Sequence, residues 1–257
     1  MEIIPVPCLS DNFAYLLISP EKREAAVVDP SESEPVLNAL TSNQLTLSCI
    51  LNTHHHWDHV GGNEELLNAF PGIDIYAHAS DRGRVPGQTR FLEEGDAVRF
   101  GSQNGWITHN PGHTSGAITY VFGENAFPGD TLFAAGCGRL FEGTPAQMHR
   151  SLNHQIGSLP NETRIYFGHE YTENNLRFAQ SVEPDNPSID DKLKRIREMR
   201  RKGEWSTPSI MAEERQTNPF MRCDAPGIIR TVGEQKPGAS LDEVSVFGVI
   251  RSLKDHF

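Results

Sequence analysis

The chain reads as α/β over residues 1–170, followed by a helical region over residues 171–257, and three observations carry that reading. Short apolar runs alternate with Gly, Pro, Asn and Asp turn signals through the first part. After Tyr171 the apolar residues recur at helical spacing, as in Ile189, Leu193, Ile196 and Met199. The length, 257 residues, is ample to bury a core in one large or two small domains.

In chain order, residues 13–18 and 25–28 are expected as paired strands, the second ending at Asp29-Pro30. Residues 34–41 read as a helix. The apolar run at 49–53 reads as the buried end of a strand, and residues 63–70, after Gly61-Gly62, as a helix-like run. Residues 73–77, 97–100, 106–108, 118–122 and 164–167 read as further strands. Residues 173–182 look helical and are broken at Glu183-Pro184-Asp185-Asn186-Pro187. The basic run at 192–202 lies on an amphipathic helix with Asp190, Asp191 and Glu198 interleaved. It is expected to be a solvated face whose apolar stripe packs inward against the first domain. Trp205 is expected as a packing anchor, and residues 208–215 as another helix start.

Composition excludes several classes. A net charge of -11 and a pI near 5.4 argue against nucleic-acid binding. No apolar run approaches a membrane span, and the N-terminus lacks the pattern of a signal peptide, so a cytoplasmic location is expected. Cys8, Cys49, Cys137 and Cys223 are scattered, form no CxxC pair and read as free thiols.

The chemistry concentrates at His54-His55-His56-Trp57-Asp58-His59. Imidazole and carboxylate suit zinc and similar divalent ions, whereas bare imidazoles have little value to an apolar core. If the preceding strand continues, His54 and His56 face the same side, and Asp58 and His59 follow where the chain turns. These four could divide between two adjacent metals. Three weaker signals follow, each ambiguous alone: His113 in Pro111-Gly112-His113-Thr114-Ser115-Gly116, Asp130 in Pro128-Gly129-Asp130-Thr131-Leu132, and His169 in Phe167-Gly168-His169-Glu170-Tyr171.

In this order the four segments resemble the metallo-β-lactamase superfamily, and within it the hydroxyacylglutathione hydrolase (glyoxalase II) family. Gly136-Cys137-Gly138-Arg139-Leu140-Phe141-Glu142-Gly143-Thr144 is similar to that family's substrate loop, Asn218-Pro219-Phe220-Met221-Arg222 to its C-terminal signature and Arg251-Ser252-Leu253-Lys254-Asp255 to its glutathione-binding tail. The resemblance implies a four-layer αββα sandwich with a C-terminal α-helical domain. Residues 1–170 would be catalytic and 171–257 glutathione-binding. It implies two divalent metal ions per chain: His54, His56 and His113 on one, Asp58, His59 and His169 on the other, and Asp130 bridging. Zinc is the expected metal, and a His/Asp site also admits iron or manganese. His55 and Trp57 match variable positions of the motif and are expected to support the ligands or to pack. His78, His109, His149, His154 and His256 match no ligand position.

The implied reaction is hydrolysis of S-(2-hydroxyacyl)glutathione, chiefly S-D-lactoylglutathione, to D-lactate and glutathione, by a monomer. Asp58 is the expected catalytic residue, orienting the attacking water and taking its proton. The leaving thiol has a pKa of about 8.5, so no strong general acid is required. Arg139, Phe141, Tyr171, Arg251 and Lys254 are the implied substrate contacts. Where some relatives carry Lys and Tyr, this chain has Arg139 and Phe141. The lost phenol hydroxyl is expected to weaken glutathione binding. A glutathione-persulfide dioxygenase of the same superfamily is disfavoured by Asp58, His59, His169 and the cationic tail. A lactonase leaves that tail unexplained. A non-catalytic binding protein is disfavoured because every ligand position is filled.

Overall fold

The computed structural model describes residues 1–19 and 23–257. Two compact units are present. The first comprises Met1–His109, Ser115–Gly129 and Tyr166–His169, and the second Asn110–Thr114, Asp130–Ile165 and Glu170–Phe257.

The first unit opens with β1 (Glu2–Cys8), β2 (Asn12–Ser19) and β3 (Glu24–Val28), paired antiparallel in sequence order. Helix α1 (Ser33–Ser42) leads to β4 (Thr46–Leu51). Helices α2 (Trp57–Val60) and α3 (Asn63–Ala69) lead to β5 (Asp74–His78) and then β6 (Arg90–Leu92). The pairings from β3 to β6 are parallel, which explains the helices: a parallel neighbour is reached only through a crossover. Strand β1 was not expected from the sequence. Pro5 and Pro7 interrupt its strand pattern, and they are tolerated because β1 lies at the edge of the sheet.

A second sheet contains β7 (Ala97–Phe100), β8 (Gln103–His109), β9 (Ile118–Phe122) and β10 (Asn125–Gly129), each antiparallel to the next. Every residue of β2 is buried, and alternation sends its side chains to opposite faces. Ala14 and Leu16 join Val36, Leu40 and Leu66 of α1 and α3. Tyr15 faces the second sheet, with its ring 5.7 Å from Phe127 and 5.3 Å from Tyr166, and its hydroxyl donates to the Phe167 carbonyl at 2.6 Å. Tyr120 likewise donates to the carbonyls of Asn52 and Tyr76, each at 3.1 Å. The buried phenols are thereby satisfied, and the backbone just beyond β4, where the ligand segment begins, is tied to the second sheet.

The second unit begins its regular structure with a short hairpin, β11 (Leu132–Phe133) and β12 (Gly136–Cys137). Helix α4 (Pro145–Arg150) starts on a Thr144/Gln147 capping box with Pro145 in its first turn. Strand β13 (Arg164–Phe167) is shared: Tyr166 and Phe167 belong to the first unit beside β10, while Arg164 and Ile165 pair with β14 (Ser209–Ile210) in the second. The remaining chain is helical: α5 (Thr172–Val182), α6 (Pro187–Arg201), α7 (Met211–Thr217), α8 (Pro226–Gln235) and α9 (Glu243–Asp255). Helices α8 and α9 were not anticipated.

The stripe Ile189, Leu193, Ile196 and Met199 packs on Leu176 and Ala179 of α5 and on Ala135 of the hairpin. One member of the basic run departs from the expected solvated face. Lys192 is only 5% exposed, and its ammonium donates to Glu214 at 2.6 Å, Ser209 at 3.2 Å and Thr217 at 3.3 Å. Its position on α6 turns it toward α7, where a buried carboxylate offsets the cost of desolvation. Lys194, Arg195, Arg197, Arg201 and Lys202 remain exposed and paired to carboxylates. Trp205 is half-buried under the Arg200 guanidinium, 4.4 Å from the ring. No helix among the described residues is long and apolar enough to cross a membrane.

Candidate metal centre

Strand β4 ends at Leu51, so His54 and His56 lie beyond it and do not alternate on a strand as expected. They converge instead through an irregular turn that leads into α2. His54 Nε2 lies 3.2 Å from His56 Nδ1, and the rings are 4.7 Å apart. His55 points elsewhere, to Asp81 at 3.2 Å and Arg84 at 2.5 Å. Trp57 neither packs nor supports a ligand in the way expected: it is 71% exposed at the first position of α2. The turn that follows is held close to α1. A Cβ on Gly61 would lie 2.6 Å from the Ser31 carbonyl oxygen, and one on Gly62 2.8 Å from that of Pro30. Only glycine allows this approach, which brings Asp58 and His59 back over the end of the sheet.

The first unit gathers five of the expected ligands: His54, His56, Asp58, His59 and His169. Asp58, His59 and His169 offer ligand atoms within 4.8 Å of one another, as do Asp29, His54 and His59. His59 Nε2 lies 3.3 Å from His169 Nε2, and Asp58 Oδ2 lies 3.7 Å and 3.4 Å from those two nitrogens.

The opposite edges of these rings explain the convergence. His59 Nδ1 donates to Asp29 Oδ2 at 3.0 Å, and His169 Nδ1 to Asp11 Oδ1 at 2.8 Å. A carboxylate on Nδ1 fixes the tautomer and leaves Nε2 as the lone-pair nitrogen. Two lone pairs and a carboxylate oxygen facing one point repel unless a cation lies among them, and this donor set fits a divalent metal. Asp29 is held in turn by the Thr53 backbone N–H at 2.7 Å and the Thr53 hydroxyl at 2.6 Å. Asn12 Nδ2 donates to the Asp58 carbonyl at 2.9 Å and to its Oδ2 at 3.2 Å. Sequence reasoning missed Asp11, Asn12 and Asp29 as site residues. Only Asp29 had a signal, a carboxylate at the carboxyl end of a strand.

His113 and Asp130 belong to the second unit. They face each other, His113 Nε2 to Asp130 Oδ2, at 3.6 Å, and His113 Nδ1 donates to the Arg139 carbonyl at 2.9 Å. Asn110 Nδ2 donates to the Thr131 hydroxyl at 2.6 Å and ties the two loops together.

The expected substrate residues all fall in the second unit. Phe141 is 63% exposed with its ring 5.3 Å from His113, and Tyr171 is partly exposed against Phe133. The Arg139 side chain is exposed, 3.8 Å from Asp255. Arg251 is 5% exposed and committed inward, donating to the Cys137 carbonyl at 2.7 Å and Asp255 at 3.0 Å. Lys254 lies beside the rings of Phe178 and Phe257, its ammonium 5.4 Å and 5.1 Å from their centroids, and donates to the Asn174 carbonyl at 3.4 Å. Burial first, and the nearby Arg251 charge second, lower its pKa to about 8. Burial pushes the Cys137 thiol up to about 11, so it stays protonated at neutral pH.

Two sheets carrying helices, with a His/Asp cluster at the strand ends, define a metal-binding α/β sandwich of the metallo-β-lactamase fold. The metallo-β-lactamase superfamily matches residues 10–169, and the hydroxyacylglutathione hydrolase C-terminus matches residues 170–257. The chain belongs to the hydroxyacylglutathione hydrolase family. It is 48% identical to the hydroxyacylglutathione hydrolase of Gloeothece citriformis and 49% identical to that of Synechococcus sp., over all of this chain and all of each relative. Among solved structures it is similar to TTHA1623 in a di-iron-bound form, at 26% identity and a TM-score of 0.58, covering 86% of this chain and 100% of that one.

Proposed function

We propose that this protein is a binuclear-metal thioesterase that hydrolyses S-(2-hydroxyacyl)glutathione, chiefly S-D-lactoylglutathione, to D-lactate and glutathione in methylglyoxal detoxification. The observation that carries the reading is 48% identity, over the full length of both chains, to a hydroxyacylglutathione hydrolase. His54, His56, Asp58, His59, His113, Asp130 and His169 would together hold two divalent ions, with zinc as the proposed metal. When bound, such ions polarise a carbonyl and lower the pKa of water toward neutrality.

The chain's own residues do the rest. Asn12 fixes the Asp58 carboxylate at its Oδ2, so Asp58 is placed to orient water and take its proton. Asp29 and Asp11 hold His59 and His169 in one tautomer, so neither ring turns away during turnover. Lys254 and Arg139 offer positive charge to the glutathione carboxylates, and Arg251 supports them from beneath through Cys137 and Asp255. Tyr171 and Phe141 present exposed rings to the tripeptide. Residues 171–257 supply most of these contacts, residues 1–170 all seven ligands, and the enzyme is proposed to act as a cytoplasmic monomer.

The test is hydrolysis of S-D-lactoylglutathione by purified protein, with metal content measured on the same sample. Turnover at close to two metals per chain, abolished in His54→Ala and Asp130→Ala, is expected. No turnover at two metals per chain would overturn the substrate assignment.

A further inference from the structure

The hairpin at 132–137 is too short to hold its own shape. Its strands have two residues each, and the turn places Ala135 at φ 54°, a left-handed conformation that costs a residue with a Cβ about 1–2 kcal/mol. What holds it comes from the helices. Asn218 Nδ2 donates to the Phe133 carbonyl at 3.2 Å and the Gly136 carbonyl at 3.0 Å. Asn175 Nδ2 donates to the Ala134 carbonyl at 3.2 Å. Glu214 Oε2 accepts the Ala135 N–H at 2.7 Å, and Arg251 donates to the Cys137 carbonyl at 2.7 Å. All four side chains are buried.

The hairpin lies between two halves of one arrangement. Asp130 precedes it. Gly138 follows it, and its backbone passes so close that an added Cβ would lie 2.1 Å from the Asp130 carbonyl oxygen and 2.7 Å from His113 Nδ1. Arg139, next in the chain, gives His113 the carbonyl that fixes its tautomer. Displacing the hairpin therefore displaces the acceptor on which His113 depends and the segment that carries Asp130.

We infer that Asn175, Glu214, Asn218 and Arg251 are positioning residues for His113 and Asp130, acting through the 132–137 hairpin. The C-terminal helices thus set metal affinity as well as offering substrate contacts. This rests on the reading of His113 and Asp130 as metal ligands. A group bonded directly to a metal ligand contributes about 10–100-fold to affinity, and these residues act one step further back, so an effect of about several-fold is expected.

The test uses the full chain with Asn218→Ala or Asn175→Ala, neither of which alters a ligand. Zinc affinity is read by competition with a chromophoric chelator, and geometry by the visible spectrum of the cobalt-substituted protein. In Asn218→Ala, the equivalent that His113 holds is expected to weaken most, by about several-fold, and the other, which shares only Asp130, less, with the cobalt bands shifted. Asn175→Ala, which removes a single hydrogen bond, is expected to weaken the same equivalent less, and it carries the test if Asn218→Ala does not fold. Wild-type affinity for both equivalents with an unchanged spectrum would overturn the inference. Equal weakening of both would also overturn it, because that is general loosening. If His113→Ala keeps both equivalents at wild-type affinity, the ligand assignment itself is what fails.

Discussion

Replacing Lys192 by Met leaves the Glu214 carboxylate buried without its counter-charge. Glu214 is fully buried, and Lys192 Nζ lies 2.6 Å from its Oε1. Removing one partner of such a pair costs about 3–5 kcal/mol. The carboxylate keeps three donors, Ala135 N–H, Asn218 Nδ2 and the Ser209 hydroxyl, which places the expected loss near the lower end, about 3 kcal/mol. Glu214→Gln should cost less, about 2 kcal/mol, because Lys192 retains Glu213 at 3.6 Å and two hydroxyls. The double variant buries neither charge and should fall well short of the sum. A coupling energy of about 2 kcal/mol is therefore expected, a factor of roughly 30 in the unfolding equilibrium. Urea denaturation followed by far-ultraviolet circular dichroism measures all four corners of the cycle, with the slope checking that the transition keeps its character. Coupling below about 0.5 kcal/mol among folded variants would refute the reasoning, because the two charges would then not depend on each other.

Two further outcomes follow from the site. Lys254, with its pKa lowered to about 8, is the group disfavoured in its charged form by the fold, so its destabilising contribution is present below pH 8 and is relieved as pH rises toward the free value of 10.5. Over the same rise it loses the charge proposed to meet a substrate carboxylate. KM is therefore expected to climb above pH 8, and the climb should flatten in Lys254→Arg, which stays charged. Identical KM profiles for the two proteins between about pH 7 and 9.5 would count against Lys254 as a carboxylate contact. Asp11→Asn removes the charge behind His169 at a partly exposed position and should lower the affinity of one metal equivalent by about 10–100-fold in chelator competition. Unaltered affinity would mean that His169 does not rely on Asp11.

The sequence by itself offered seven His and Asp candidates for metal ligation, though not Asp29, and the longer periodic strands and helices around them. Ligand chemistry is a property of residue type, and the spacing at 54–59 is local, so both can be read along the chain. The same holds for β2, β3, α1, α3, β9 and α5, where apolar periodicity matches the element that forms. Short or interrupted elements carried too little periodicity: β1 has two prolines, and β11 and β12 have two residues each.

Only the tertiary structure decided what stands behind each functional side chain. Asp11 and His169 are 158 residues apart, and Arg251 and Cys137 are 114 apart, yet each pair shares a hydrogen bond. Lys192 and Lys194 look alike in sequence, but one is buried on Glu214 and the other is solvated. Trp57 looked like a packing residue and is exposed. A side chain's charge and size are written in the sequence. Whether it meets water, a carboxylate or a neighbour's carbonyl depends on which distant segments the fold brings against it, and no local pattern encodes that.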